Sequence, residues 1–198
     1  MKNRKKLLIL FVFILICILI FCMVQIYAKY LTSASGNTKI NIARWNILVN
    51  NLSIKNNTDI SSSIVPVFPG NDNIASNIIA PTAEGYFDLA FDFTNADVSF
   101  SYEITTSVDS SSPVKDLVAT GYSIDGGEKI TFSDTSNTKI SDTILLSSDV
   151  KTKNFRIYIL WNDDEATSQM SNEQDTQATS STTPALFHVN ISFTQIAD

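Results

Sequence analysis

From Leu7 to Ile26 the chain runs about twenty residues without a charge, and Lys2, Arg4, Lys5 and Lys6 stand directly before it. Only Gln25 and the two cysteines, Cys17 and Cys22, interrupt the branched and aromatic apolar side chains. At helical rise the run reaches about 30 Å, the thickness of a bilayer's hydrocarbon. Leu, Ile, Phe and Val each contribute roughly −0.3 to −0.6 kcal/mol to insertion, so partition into lipid is favoured by several kcal/mol. A core helix of a soluble protein would show a polar face, and this run has none. The basic cluster is expected to stay in the cytoplasm, which places the rest of the chain on the far side of the membrane.

Two forms of export fit. Ala28-Lys29 offers a small residue at a cleavage point, but Ile26 fills the position where an A-x-A site has a second small residue. The apolar run also exceeds the about seven to fifteen residues usual in a signal peptide. A cleaved leader and a retained anchor over residues 1–28 both remain open. A polar spacer follows at residues 29–36, ending in Thr32-Ser33-Ala34-Ser35-Gly36, and residues 37–198 are read as one domain.

That domain has no cysteine, so it has no disulfide, thiol nucleophile or cysteine metal ligand. Four of the fourteen Lys and Arg precede the apolar run, which leaves ten against all twenty Asp and Glu. An anionic domain argues against nucleic acid and against anionic membrane surfaces as partners. Abundant Asn, Ser and Thr favour turns and half-exposed strands over helices.

Within the domain, apolar and polar residues alternate with period two. Ile40 and Ile42 share one phase and Trp45, Ile47 and Val49 another, with a slip at Ala43-Arg44 that predicts a β-bulge. The two prolines of Pro66-Val67-Phe68-Pro69 restrict that stretch to an edge strand or an extended loop. Ile74 to Ala80 is expected to form a short strand. Phe87, Leu89, Phe91 and Phe93 alternate with Asp88 and Asp92, and Val98, Phe100, Tyr102 and Ile104 resume the pattern after a four-residue turn. The spacing predicts a β-hairpin whose eight large side chains, at roughly 1.5–3 kcal/mol each, supply much of the core. Asp125-Gly126-Gly127 signals a second hairpin. Phe155, Ile157, Ile159 and Trp161 predict a central strand, residues 162–183 a long polar segment, and Phe187, Val189, Ile191 and Phe193 a closing strand. Roughly eight to ten strands without a helix in the domain predict an all-β fold, an antiparallel β-sandwich of jelly-roll type behind the N-terminal hydrophobic helix.

Catalytic patterns are sparse. His188 is the lone histidine, it falls mid-strand, and neither G-x-S-x-G nor H-E-x-x-H is present. Asp88 and Asp92 project from the same face of a strand about 13 Å apart, too far to share a substrate bond. Asp163, Asp164 and Asp175 are oxygen ligands of the kind Ca²⁺ prefers, but their spacing is not that of an EF-hand, and a solvated loop is the plainer reading. No other cofactor is expected.

Ala28-Lys29-Tyr30, then Ser33-Ala34-Ser35-Gly36, then a strand bearing Ala43-Arg44-Trp45, resembles exported proteins with a SipW-type signal peptide, the TasA/camelysin family of Gram-positive matrix proteins. Ile79-Ala80-Pro81 with Gly85 before the aromatic strand pair, and Tyr158-Ile159-Leu160-Trp161 before an acidic loop with Asp175-Thr176, are similar to the same family. The resemblance implies a jelly-roll-like sandwich, processing by a SipW-type signal peptidase, and a secreted or surface subunit that self-associates into biofilm-matrix fibres. It further implies that the freed N-terminal segment, here carrying Ile40, Ile42, Trp45, Ile47 and Val49, completes the sheet of a neighbouring subunit by β-augmentation. Camelysin is described as a peptidase, and no metalloprotease ligand set stands here to carry that activity over. The alternative expectation is a monomeric, membrane-tethered binding module.

Overall fold

The structure, a computed structural model, describes residues 2–30, 38–136 and 138–196, with the backbone alone at residue 2 and residues 24–30. The chain divides into two compact units, Met1–Asn41 and Ile42–Asp198. In the first, α1 (Lys2–Tyr30) is one helix of 29 residues. Its stretch Asn3–Met23 is long and apolar enough to cross a membrane, and none of that stretch is buried. Cys17 and Cys22 are free and exposed on it. The spacer at Thr32 to Gly36 lies outside the described residues, as do the side chains of Ala28 and Lys29 at the expected cleavage point.

The second unit is an antiparallel sandwich with nine strands among the described residues. These are β1 (Trp45–Val49), β2 (Leu52–Ser53), β3 (Glu84–Ala96), β4 (Phe100–Val108), β5 (Leu117–Ile124), β6 (Ile130–Thr131), β7 (Lys139–Ile144), β8 (Thr152–Trp161) and β9 (Phe187–Gln195). One sheet has the order β2-β1-β3-β8-β5-β6 and the other β7-β4-β9. From β3 onward the long strands β3, β4, β5, β7, β8 and β9 fall alternately in the two sheets, which gives the jelly-roll-like crossing of the chain. β8 is central, paired with β3 on one side and β5 on the other, and Phe155, Ile157, Ile159 and Trp161 are all buried. The expected hairpin at Asp125-Gly126 forms between β5 and β6, with Asp125 and Gly126 at φ 50° and 75°.

The runs on either side of residue 97 do not form a hairpin. β3 and β4 lie in different sheets, and the chain crosses the sandwich between them. The reason is the apolar row on each strand. In a hairpin both rows would lie side by side on one sheet and still need a cover, whereas folded across they cover each other. Phe93 meets Phe100 at 5.4 Å between ring centroids, and Phe91 meets Tyr102 at 5.7 Å. Val98 sits in the crossing turn and is only half-buried, so seven of the eight expected side chains are buried in the core.

Three other expectations are corrected. Residues 38–44 form no strand, so the phase slip at Ala43-Arg44 marks where β1 begins, and the register irregularity lies at Asn46–Leu48 instead. Residues 74–80 are not a strand, and that part of the chain contributes only the single bridge of Pro81 to Trp161. The polar segment contains a helix, α2 (Asn172–Thr179), opened by a capping box in which the Ser171 side chain accepts from the Gln174 amide and the Gln174 side chain accepts from the Ser171 amide.

Candidate assembly groove

The two sheets are unequal, and the inequality leaves one flank of the sandwich open. β9 pairs with β4 along its whole length, from Phe187 opposite Val108 to Gln195 opposite Phe100. Its other edge has no strand beside it among the described residues. The consequence shows in burial. On central β4 the inward residues Phe100, Tyr102 and Ile104 are buried, whereas Phe187, Val189, Ile191 and Phe193 of β9 are only half-buried. An uncovered sheet edge of this kind is a template for another strand.

Across from β9 stands the wall made by β1, β2 and the loop after them. A hollow of about 700 Å³ lies between Trp45, Ile54 and Ile60 on one side and Val189, Ile191 and Phe193 on the other. A second, of about 440 Å³, continues past Ile60 and Val189 to Ile64, Phe68, Ile79 and Phe187. Ile60 and Val189 line both, so the hollows form one apolar groove running beside β9. Asn46, Ser53, Asn190 and Ser192 rim the larger hollow with neutral polar groups, and Lys55 adds the one charge there.

Local chemistry builds the wall. Asn50 and Asn51 take φ of 48° and 67°, the left-handed pair that a tight hairpin turn between β1 and β2 requires and that Asn tolerates. The Asn50 side chain then bridges three elements. Its Nδ2 donates to the Ser63 carbonyl at 2.9 Å and the Asp88 carbonyl at 3.2 Å, while its Oδ1 accepts from the Ala90 amide at 2.7 Å. Beyond β1, Val67 exchanges backbone hydrogen bonds with Tyr86 and so continues the sheet edge, the extended-loop role its flanking prolines allow.

The expected assembly residues separate into three groups. Ile47 and Val49 are buried in the domain's own core, and β1 is paired with β3, so neither is free to fill a neighbour. Trp45 sits at the rim, 42% exposed, with its ring edge-on to Phe100 at 5.8 Å. Ile40 and Ile42 stand apart, 82% and 91% exposed on a segment without ladder pairing. The two belong to one face of an extended chain, because they are two residues apart.

The acidic residues are not gathered into a calcium-binding arrangement. Asp175 is buried, and its Oδ1 accepts from the Trp161 indole Nε1 at 3.2 Å. Asp164 Oδ1 accepts from the Ala166 amide. No three His, Cys, Asp or Glu side chains among the described residues are grouped to hold a metal ion. The segment is pinned instead by Asp116, whose two oxygens accept from the Gln169 and Met170 amides, both at 2.7 Å. Asp116 and Asp175 could not be singled out by sequence, because nothing in their spacing distinguishes an inward carboxylate from a solvated one.

His188 Nε2 approaches Asp109 Oδ2 at 2.5 Å, and Ser111 Oγ donates to Asp109 Oδ1 at 2.6 Å. Here the carboxylate stands between serine and imidazole, while nucleophilic activation needs the imidazole in the middle. Hydrogen bonds from Ser111, with the imidazole beside it, hold the Asp109 carboxyl below the usual carboxylate range. The outward face of the larger sheet is likewise structural. Asp88 receives Arg156 Nε at 2.8 Å and Nη2 at 2.9 Å, and the guanidinium lies 3.8 Å from the Tyr86 ring centroid. Compared with known protein families, curated proteins and solved structures, the chain matches none.

Proposed function

We propose that this chain is a non-enzymatic structural subunit, exported by its N-terminal helix to the cell surface or a biofilm-type matrix, that assembles by strand donation. The segment from residue 38 to 43 of one copy lies along the β9 edge of the next. Its backbone extends the three-stranded sheet, and Ile40 and Ile42 enter the apolar groove. The observation that carries this reading is the half-buried row Phe187, Val189, Ile191 and Phe193 on β9, whose outer edge has no strand beside it among the described residues, next to a groove lined in part by apolar side chains. A fourth strand there would cover the row at both sheet and groove. The exposure of Ile40 and Ile42 supports the same reading, since an isolated domain gains nothing from two large apolar side chains in water.

The test is deletion. The processed chain lacking residues 29–43 retains β1 and the Arg44–Asp97 pair before it, and is expected to remain a folded monomer that no longer forms fibres in electron micrographs. Fibres from the truncated protein as abundant as from the complete one would overturn the reading. A groove that binds an extended segment of another protein would serve the membrane-tethered alternative. In that case the complete processed chain would stay monomeric at all concentrations in sedimentation.

A further inference from the structure

Each sheet of the sandwich has two outer strands, β2 and β6 in the larger and β7 and β9 in the smaller. An outer strand presents a row of backbone donors and acceptors, and soluble domains blunt it by shortness, by charged side chains or by charges turned inward. β2 and β6 are each two residues long, too short to pair with a segment such as 38–43 along its length. β7 and β9 are longer, and neither has a further strand on its outer edge among the described residues. Their side chains differ. β9 holds no Lys, Arg, Asp or Glu in nine residues, whereas the six residues of β7 include Lys139 and Asp142.

Asp142 lies on the inward row of β7. Along the ladder with β4, Ile140 stands opposite Ile104, Asp142 opposite Tyr102 and Ile144 opposite Phe100. Residues opposite one another project to the same face, so Asp142 sits between two buried isoleucines on the side that meets the core. From the facing sheet, Lys153 of β8 reaches across to it. Its Nζ donates to Asp142 Oδ2 at 2.5 Å and to the Tyr102 hydroxyl at 3.1 Å, and lies 5.4 Å from the Tyr102 ring centroid. The Lys153 side chain is 14% exposed and that of Asp142 53%, so water reaches the pair only from the β7 edge. The hydrogen bond from Lys153 holds the Asp142 carboxyl below the usual carboxylate range, and it is charged at neutral pH.

We infer that the Asp142–Lys153 pair determines the specificity of assembly: it denies the β7 edge to a donated strand, so each copy accepts at β9 alone and the fibre grows without branching. The inference rests on reading β9 as the acceptor, and adds which edge is refused and by which residues. A segment placed beside β7 with Ile40 and Ile42 turned inward would set an isoleucine against the Asp142 carboxylate and exclude the water that now reaches it. An ion pair stripped of water loses more hydration than its attraction returns unless new hydrogen bonds satisfy it, and an isoleucine side chain offers none. At β9 the same side chains meet Val189, Ile191 and Phe193, where there is no charge to desolvate. The difference decides the form of the fibre. Each copy donates one segment, so a second accepting edge would let two chains grow from one copy.

The test grows fibres of the processed chain and counts branch points in electron micrographs. Asp142→Val with Lys153→Met and Tyr102→Phe makes the cluster apolar and leaves none of its polar atoms unpartnered, a replacement that folded domains tolerate. Asp142→Asn with Lys153→Gln removes both charges while keeping the shapes and hydrogen-bonding groups. Both variants are expected to branch several-fold more often per unit length than the unmodified chain. The same changes in the chain lacking residues 29–43 are expected to give no fibres. Unbranched fibres from both variants would overturn the role of the pair and leave donation to β9 standing. Fibres from the variants that persist without residues 29–43 would overturn it as well, since growth would then need no donated strand. Absence of fibres from the unmodified chain would overturn strand donation itself, and this inference with it.

Discussion

Arg44 grips Asp97 with a fork, Nε to Oδ2 at 2.8 Å and Nη2 to Oδ1 at 2.7 Å, and its amide also donates to Oδ2 at 3.0 Å. Asp97 returns a backbone bond to the Arg44 carbonyl. The pair clamps the chain at the boundary between the free segment and β1. Hydrogen bonds from Arg44 lower the Asp97 carboxyl to about 2. Because the folded value lies below the unfolded value of about 3.9, the clamp contributes fully above about pH 4 and is lost as pH falls through about 2. Asp97→Asn is expected to remove this pH dependence and to speed amide exchange at residues 44–46, measured by hydrogen exchange at pH 5 and pH 2.5.

Ile40→Ser with Ile42→Ser separates fold from assembly. Both side chains are exposed, so unfolding free energy in urea should move by no more than about 0.5 kcal/mol. Fibre growth, followed by light scattering, should fall sharply. Unchanged growth would mean that these residues do not fill the groove.

Gly85 has no room for a methyl group. A Cβ there would lie 2.4 Å from the Phe68 ring and 2.8 Å from the Val67 carbonyl oxygen. Gly85→Ala is therefore expected to cost about 1–3 kcal/mol, read as a lower urea midpoint, by pushing the loop of residues 64–70 off β3. Because Phe68 lines the groove, the same variant should also weaken assembly.

Asp175→Ala would leave the buried Trp161 indole N–H without its acceptor. The expected loss is about 1–3 kcal/mol, with a shift in tryptophan fluorescence. Since the Asp175 carboxylate is already engaged, millimolar calcium should not raise the melting temperature. A rise of several degrees that Asp175→Ala abolishes would show that the acidic segment rearranges around an ion.

Several features were legible in the chain before any folding was considered. Twenty uncharged, almost wholly apolar residues behind four basic ones specify a membrane-length helix, because length and polarity are properties of a segment. Period-two patterning likewise marked β3, β4, β8 and β9, because the two faces of a strand are set by the backbone alone. The Asp-Gly hairpin follows from residues that tolerate left-handed backbone. Ser171 and Gln174 carried the capping-box spacing of α2, a signal obscured by the polarity of the whole segment.

Alternation along a strand says which side chains are apolar, but it is the same whether the next strand lies beside it or across the core. Only the packed structure decided that β3 and β4 face each other, that β1 belongs to its own domain, and that Ile40 and Ile42 are left over. It also decided that Asp175 turns inward and that, among the described residues, β9 has no strand on its outer edge. These are outcomes of covering every apolar row against contacts distant in sequence. Among the described residues, the row along β9 is packed against the core yet left half-buried.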